Sequence, residues 1–154
     1  MNSWRPLMLA GLLAAALPAQ AVNLHDVRTS LDYPEAMAML QEAIAKRGYT
    51  VTRIQQVDKG LESGGFASPR QYRVVHFGRK EQLAQAQARY PRLLAYLPLR
   101  IAIMEEAGGT RLTALHPALA GLDGGPDGKD GELAALLDEM DADLGRILKA
   151  ATAY

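Results

Sequence analysis

Leu99-Arg100-Ile101-Ala102-Ile103-Met104, then Gly108-Gly109, then Thr110-Arg111-Leu112-Thr113-Ala114-Leu115-His116: this stretch carries the clearest structural signal in the chain. Its first six residues are apolar apart from Arg100. The glycine pair supplies a turn, and the seven residues after it alternate apolar with polar. Two such runs across a glycine turn pair as an antiparallel hairpin, so the chain contains a sheet. Working back from the hairpin, Gln71–Phe77 (QYRVVHF) reads as another strand, bounded by Gly78. Lys80–Tyr90 is rich in Ala, Gln and Leu and reads as a helix stopped by Pro91, with a further helical turn over Arg92–Tyr96 before Pro98.

The N-terminal half repeats the theme. Leu24–Leu31 has strand character. Asp32 followed by Glu35 makes a capping-box pattern, and Pro34 suits a first helical turn. Met37, Leu40, Ala43, Ile44 and Arg47 then fall at helical spacing, and Gly48 closes the run. Tyr49–Val57 reads as the next strand, completing a β-α-β unit, and Asp58–Ser63 as a short helical turn before the Gly64-Gly65 and Ser68-Pro69 loop.

Past the hairpin, residues 118–131 form an acidic, glycine-rich linker, with Asp130 placed to cap a final helix. Leu133, Leu136, Leu137, Met140, Leu144, Ile147, Leu148 and Ala151 then make a 3/4-spaced stripe, so residues 132–154 carry an amphipathic helix. The order β-α-β, β-α-β-β, α predicts an α+β two-layer sandwich. It has one sheet of about five strands, helices on one face, and the added C-terminal helix.

The first 21 residues have a different character. Arg5 precedes an eleven-residue apolar run, Leu7–Leu17, and Pro18 and Ala19-Gln20-Ala21 come after it. This is the layout of a secretory signal peptide, too short to span a bilayer as a helix, which needs roughly 20 residues. Cleavage after Ala21 leaves 133 of the 154 residues and no membrane anchor, and predicts an exported, periplasmic or secreted, soluble product.

The chain has no Cys, which excludes disulfides, a thiol nucleophile and thiolate metal sites. After cleavage it carries 16 Lys/Arg against 17 Asp/Glu, a balance that argues against nucleic acid as a partner. The charges are segregated. Arg70, Arg73, Arg79, Lys80, Arg89, Arg92 and Arg100 face only Glu81 in their segment, while Asp123–Asp143 holds eight acids against Lys129. Two faces that neutralise each other within the fold are the preferred account, and attraction of an anion or of a partner's acidic helix is the other.

One block resembles a known family. Its residues are Tyr72-Arg73-Val74-Val75-His76-Phe77-Gly78, then Pro91, then Leu97-Pro98-Leu99-Arg100-Ile101-Ala102-Ile103, Glu105-Glu106 and His116-Pro117. Upstream, Met39-Leu40, Ala45 and Gly48-Tyr49-Thr50-Val51 match the same pattern. Over roughly Ser30 to Pro117 the chain resembles the domain of unknown function 302 family. The resemblance implies a compact α/β sandwich working as a homodimer, brings no reaction with it, and leaves the helix after Asp130 as an addition or a divergent end. Where the family carries a Gly-Asn-Pro-like turn, this chain reads Gly78-Arg79-Lys80, which alters what a site there would bind.

The candidate site residues are few. His76 stands on one strand face with Tyr72 and Val74, opposite Arg73, Val75 and Phe77, and is a candidate general base or ligand as well as a structural residue. Arg100, with Arg73 or Arg79, would hold an anionic ligand by forked hydrogen bonds; the preferred structural reading pairs Arg100 with Glu105, Glu106 or the last helix. His25 is expected to be exposed and His116 to be a turn residue. No two histidines share a ligand spacing, so no metal and no cofactor is expected. The acidic linker fails the calcium-loop template at Gly125 and Ala134. No nucleophile elbow, phosphate loop or dinucleotide fingerprint occurs, and the methionines sit at packing positions.

Two functions remain open at this level. One is a non-enzymatic binding or protein-interaction module with a small anionic ligand; the other is an enzyme of small anionic substrates with His76 as base and Arg100 or Arg73 as clamp. Docking of the last helix on a partner is a third use of the chain.

Overall fold

A computed structural model of the protein describes residues 24–117 and 131–153. The expected signal peptide, most of the calcium-loop candidate and the linker up to Asp130 therefore lie outside the described residues. The elements run β1 (Leu24–Thr29), α1 (Tyr33–Lys46), β2 (Thr50–Gln56), α2 (Val57–Ser63), β3 (Tyr72–Gly78), α3 (Lys80–Arg89), a 3₁₀ turn (Pro91–Ala95), β4 (Leu99–Glu106), β5 (Gly109–Leu115) and α4 (Gly131–Ala151).

Local chemistry explains the boundaries. The Asp32 side chain accepts the Glu35 backbone N–H at 3.0 Å, so the expected N-cap forms, with Pro34 in the first turn of α1. Gly48 closes that helix at φ +74°, a conformation only glycine takes without cost. The hairpin turns on Gly108 (φ +84°) and Gly109 (φ +152°). A Cβ on Gly109 would lie 2.0 Å from the Thr29 carbonyl oxygen, so the turn and the β1 edge need glycine there together.

The five strands form one antiparallel sheet in the order β1-β5-β4-β3-β2. The first β-α-β unit does not place its strands side by side. α1 carries the chain from one sheet edge to the other, and the later strands fill the space between. Alternation then divides the sheet. Val75, Phe77, Ile101, Ile103, Leu112 and Ala114 point to a buried face, while Val74, His76, Arg100, Ala102 and Thr113 point to an open one.

α1 and α4 cover the buried face. Leu40 and Ile44 of α1 and Met140, Leu144, Ile147 and Leu148 of α4 are at most 1% exposed, in one core with Phe77, Ile101 and Leu112. Each such side chain contributes roughly 1.5–3 kcal/mol on burial. The last helix is thus part of the core and not an appendage to it. No helix among the described residues is long and apolar enough to cross a membrane.

Candidate functional site

The cross-strand register builds the site. His76 on β3 stands directly opposite Arg100 on β4 and, on its other side, Arg53 on β2, all on the open face. Facing pairs of this kind hold their Cβ atoms about 5 Å apart. The register between β2 and β3 shifts at Val51/Arg53, and that irregularity is what sets Arg53 beside His76. His76 Nε2 also lies 3.4 Å from Gln55 Oε1. Among the described residues neither Arg53 nor Arg100 has a carboxylate within salt-bridge distance, whereas most other arginines of the sheet and α3 do.

His76 and Arg100 line a half-open cleft of about 320 Å³ at the end of the sheet where β3 finishes and β4 begins. Gln55, Val74 and Thr113 floor it, and Tyr96 of the segment before β4 stands at its side. Burial lowers the His76 pKa below its usual 6.5, and the positive charges of Arg100 and Arg53 lower it further. At neutral pH His76 is therefore a neutral imidazole between two guanidinium groups. Such a site attracts anions and offers a ring nitrogen that accepts a proton.

The other two predicted arginines do different work. Arg73 points to the helix side of the sheet and pairs with Asp58 of α2, whose side chain is 1% exposed. The Arg73 hydrogen bond draws the Asp58 carboxyl below its ordinary range, against the opposing effect of burial. Tyr33 beside them is pushed up to about 12, chiefly by burial. Arg79 donates to Asp143 at 2.9 Å, to Glu139 at 2.8 Å and to the Arg47 carbonyl at 2.6 Å, and its guanidinium lies 4.2 Å from the Tyr49 ring centre. Tyr49 in turn donates to Asp143 at 3.0 Å and accepts from Gln82 at 3.2 Å, and burial lifts its phenol to about 12. Arg73 and Arg79 are committed to carboxylates of their own chain, which leaves Arg100 as the one predicted clamp residue in the cleft. Arg100 itself pairs with none of Glu105, Glu106 or the described part of the last helix; Arg79 and Arg89 reach that helix instead, at Glu139, Asp143 and Glu132. The segregated charges do neutralise each other within the fold there.

The remaining histidines lie on the buried side of the sheet, where sequence spacing placed neither. His25 on β1 and His116 just past β5 stack with ring centres 4.0 Å apart. Both contact Asp141 Oδ1 of α4, His25 through Nε2 at 2.9 Å and His116 through Nδ1. With side-chain exposures of 20% and 26%, His25 is not the exposed terminal residue expected, and His116 does more than close a turn. Arg53, Gln55 and Asp141 carry no motif, because each acquires its neighbours only through strand register or helix docking.

Residues 25–151 match the family described as domain of unknown function DUF302, which takes in both the sheet and α4. The match extends past Pro117 and includes the last helix, which is therefore a divergent end of the family domain rather than an addition to it. No curated protein matches the chain. The fold is similar to the crystal structure of an uncharacterized conserved protein DUF302 from Bacillus stearothermophilus, with a TM-score of 0.64, 20% identity, and coverage of 84% of this chain and 94% of that one. That likeness is one of fold, and with the match over residues 25–151 the chain belongs to the DUF302 family.

Proposed function

We propose that this protein is an exported, non-enzymatic binding module that takes a small anion in the cleft at the end of its sheet. The observation that carries the reading is the file Arg53–His76–Arg100, in which two guanidiniums without carboxylate partners among the described residues flank a neutral imidazole. A carboxylate or phosphate bound there gains forked hydrogen bonds from Arg100 and a ring N–H from His76. Export rests on the Arg5, Leu7–Leu17, Ala19-Gln20-Ala21 layout. A second copy of the chain is the proposed partner: Leu24 and Leu115 face each other on β1 and β5 and are 47% and 53% exposed, an apolar pair at the cleft's rim.

The test is a two-dimensional NMR titration of the protein with inorganic phosphate and with succinate. Saturable shifts at His76 and its neighbours, lost in Arg100→Gln, support the reading; shifts spread evenly over surface arginines overturn it. Native mass spectrometry of the periplasmic fraction reads the start of the mature chain, its stoichiometry and any ligand retained.

The second reading is an enzyme in which His76 acts as general base. Its lowered pKa favours this, because a base must be unprotonated at working pH. Turnover of a phosphate or carboxylate ester that disappears in His76→Gln while anion binding persists would select it.

A further inference from the structure

His25, His116 and Asp141 come from three separate elements, and their ligand atoms all lie within 4.8 Å of one another. Nothing in the anion cleft uses them: they sit across the sheet from His76, between its β1–β5 edge and α4. Their geometry is convergent. Two imidazole nitrogens, His25 Nε2 and His116 Nδ1, are aimed at a single carboxylate oxygen from rings stacked 4.0 Å apart. Three donor atoms from three elements converging on one point match a single cation shared among them.

We propose that His25 Nε2, His116 Nδ1 and Asp141 Oδ1 bind one divalent transition-metal ion of the Zn²⁺ type. Two imidazoles and one carboxylate are the donor set of an open tetrahedral site, in which the fourth position is left to water. Donor atoms around such an ion, at bonds of about 2.0–2.1 Å, stand roughly 3.3 Å apart, so the 2.9 Å His25–Asp141 contact opens by a few tenths of an ångström on binding and the closer His116–Asp141 contact by more. The donors also choose among ions. One carboxylate is too little for Ca²⁺ or Mg²⁺, and a chain without Cys offers no thiolate to Cu(I). All three side chains are between 20% and 28% exposed, which lets an ion enter and leaves room for its water. Gly145, one turn beyond Asp141, flanks the site: a Cβ there would lie 3.5 Å from His25 Cε1, in ordinary van der Waals contact.

The ion would bridge the first strand, the end of the last strand and the last helix. It would therefore act as a staple between the two ends of the folded domain, adding stability in proportion to the ion's occupancy.

The experiment is isothermal titration of the tag-free chain with Zn²⁺, alongside His116→Gln, Asp141→Asn and the double variant His25→Gln/His116→Gln. Circular dichroism shows that each variant is folded; His116 lies beyond the strand end, so its variant keeps the test open should an Asp141 variant fail to fold. The expected result is one ion per chain, at least tenfold weaker binding in each single variant, and no binding in the double variant. Zn²⁺ should also raise the Tm of the parent chain by several degrees and leave the double variant unmoved. Loading with Co²⁺ should give the visible absorption of a low-coordinate site. Zn²⁺ binding of equal strength in the double variant, or none by the parent chain at millimolar Zn²⁺, overturns the proposal.

Discussion

Arg79 Nη2 meets Asp143 Oδ2 at 2.9 Å across 64 positions of sequence, and this contact ties the turn after β3 to the last helix. Asp143 is 5% exposed on its side chain and also receives Tyr49, so it is the hub of a buried polar network. Replacing Asp143 with Ala leaves the buried Tyr49 hydroxyl without its acceptor and takes from Arg79 its buried carboxylate, with Glu139 and the Arg47 carbonyl remaining to it. The expected loss is about 3 kcal/mol, measured by urea unfolding. Replacing exposed Glu139 alone should cost well under 1 kcal/mol.

The Asp58–Arg73 pair predicts an acid limb of stability. The Asp58 carboxyl is held below its usual 3.8, first by the Arg73 hydrogen bond, so the unfolded state takes up a proton before the folded one does. Its contribution is full above the ordinary carboxylate range and is lost as pH falls through the lowered folded value. Thermal melts between pH 7 and pH 2 should therefore show a steep fall at the acid end. Asp58→Asn should start less stable and fall less steeply.

His76 should titrate below 6.5 by NMR, since burial and the two neighbouring arginines all oppose its protonation. Arg100→Gln removes one of those charges and should move the midpoint upward, though not fully to the ordinary value, because burial persists. Saturating phosphate should move it upward as well, by pairing with the imidazolium. The folded His76 pKa lies below the unfolded one, so its contribution to stability is present above pH 6.5 and lost as pH falls through the lowered folded value.

Gly109→Ala should be among the most damaging single-methyl changes in this chain. The added carbon would meet the Thr29 carbonyl at 2.0 Å, and relief requires β1 to part from β5. A cost of about 3 kcal/mol is expected in chemical denaturation. Gly108→Ala, with open space at its Cβ, should cost about 1 kcal/mol for its positive φ alone.

Removing residues 132–154 should abolish cooperative folding. Met140, Leu144, Ile147 and Leu148 alone would withdraw about 6 kcal/mol or more of burial, against total stabilities of roughly 5–15 kcal/mol. A differential scanning trace without a transition is the expected result. A truncated chain that still melts sharply would mean that the sheet and α1 suffice.

Most of the architecture is legible in the residues themselves. Alternation in Thr110–His116, the glycine pair before it, the Asp32 cap and the 3/4 stripe of the last helix each act over a few neighbouring residues, so spacing alone reports them. The two faces of β3 come from the same period of two, which puts His76 opposite Arg73 whatever their partners. Pairing is another matter, because it joins residues far apart in the chain. Which strand lies beside which is settled by packing helices over the sheet, and that sends β1 and β2 to opposite edges. The same packing gives Arg73 and Arg79 to Asp58 and Asp143, leaves Arg100 in the cleft, and sets Arg53, which no motif marks, beside His76 on the neighbouring strand. It also brings His25 and His116, 91 positions apart, onto one oxygen of Asp141. Local spacing along the chain accounts for the elements, their order and the polarity of their faces. Which charged groups neutralise one another, and which remain to meet a ligand, depends on distances that register and helix docking set once the chain has folded.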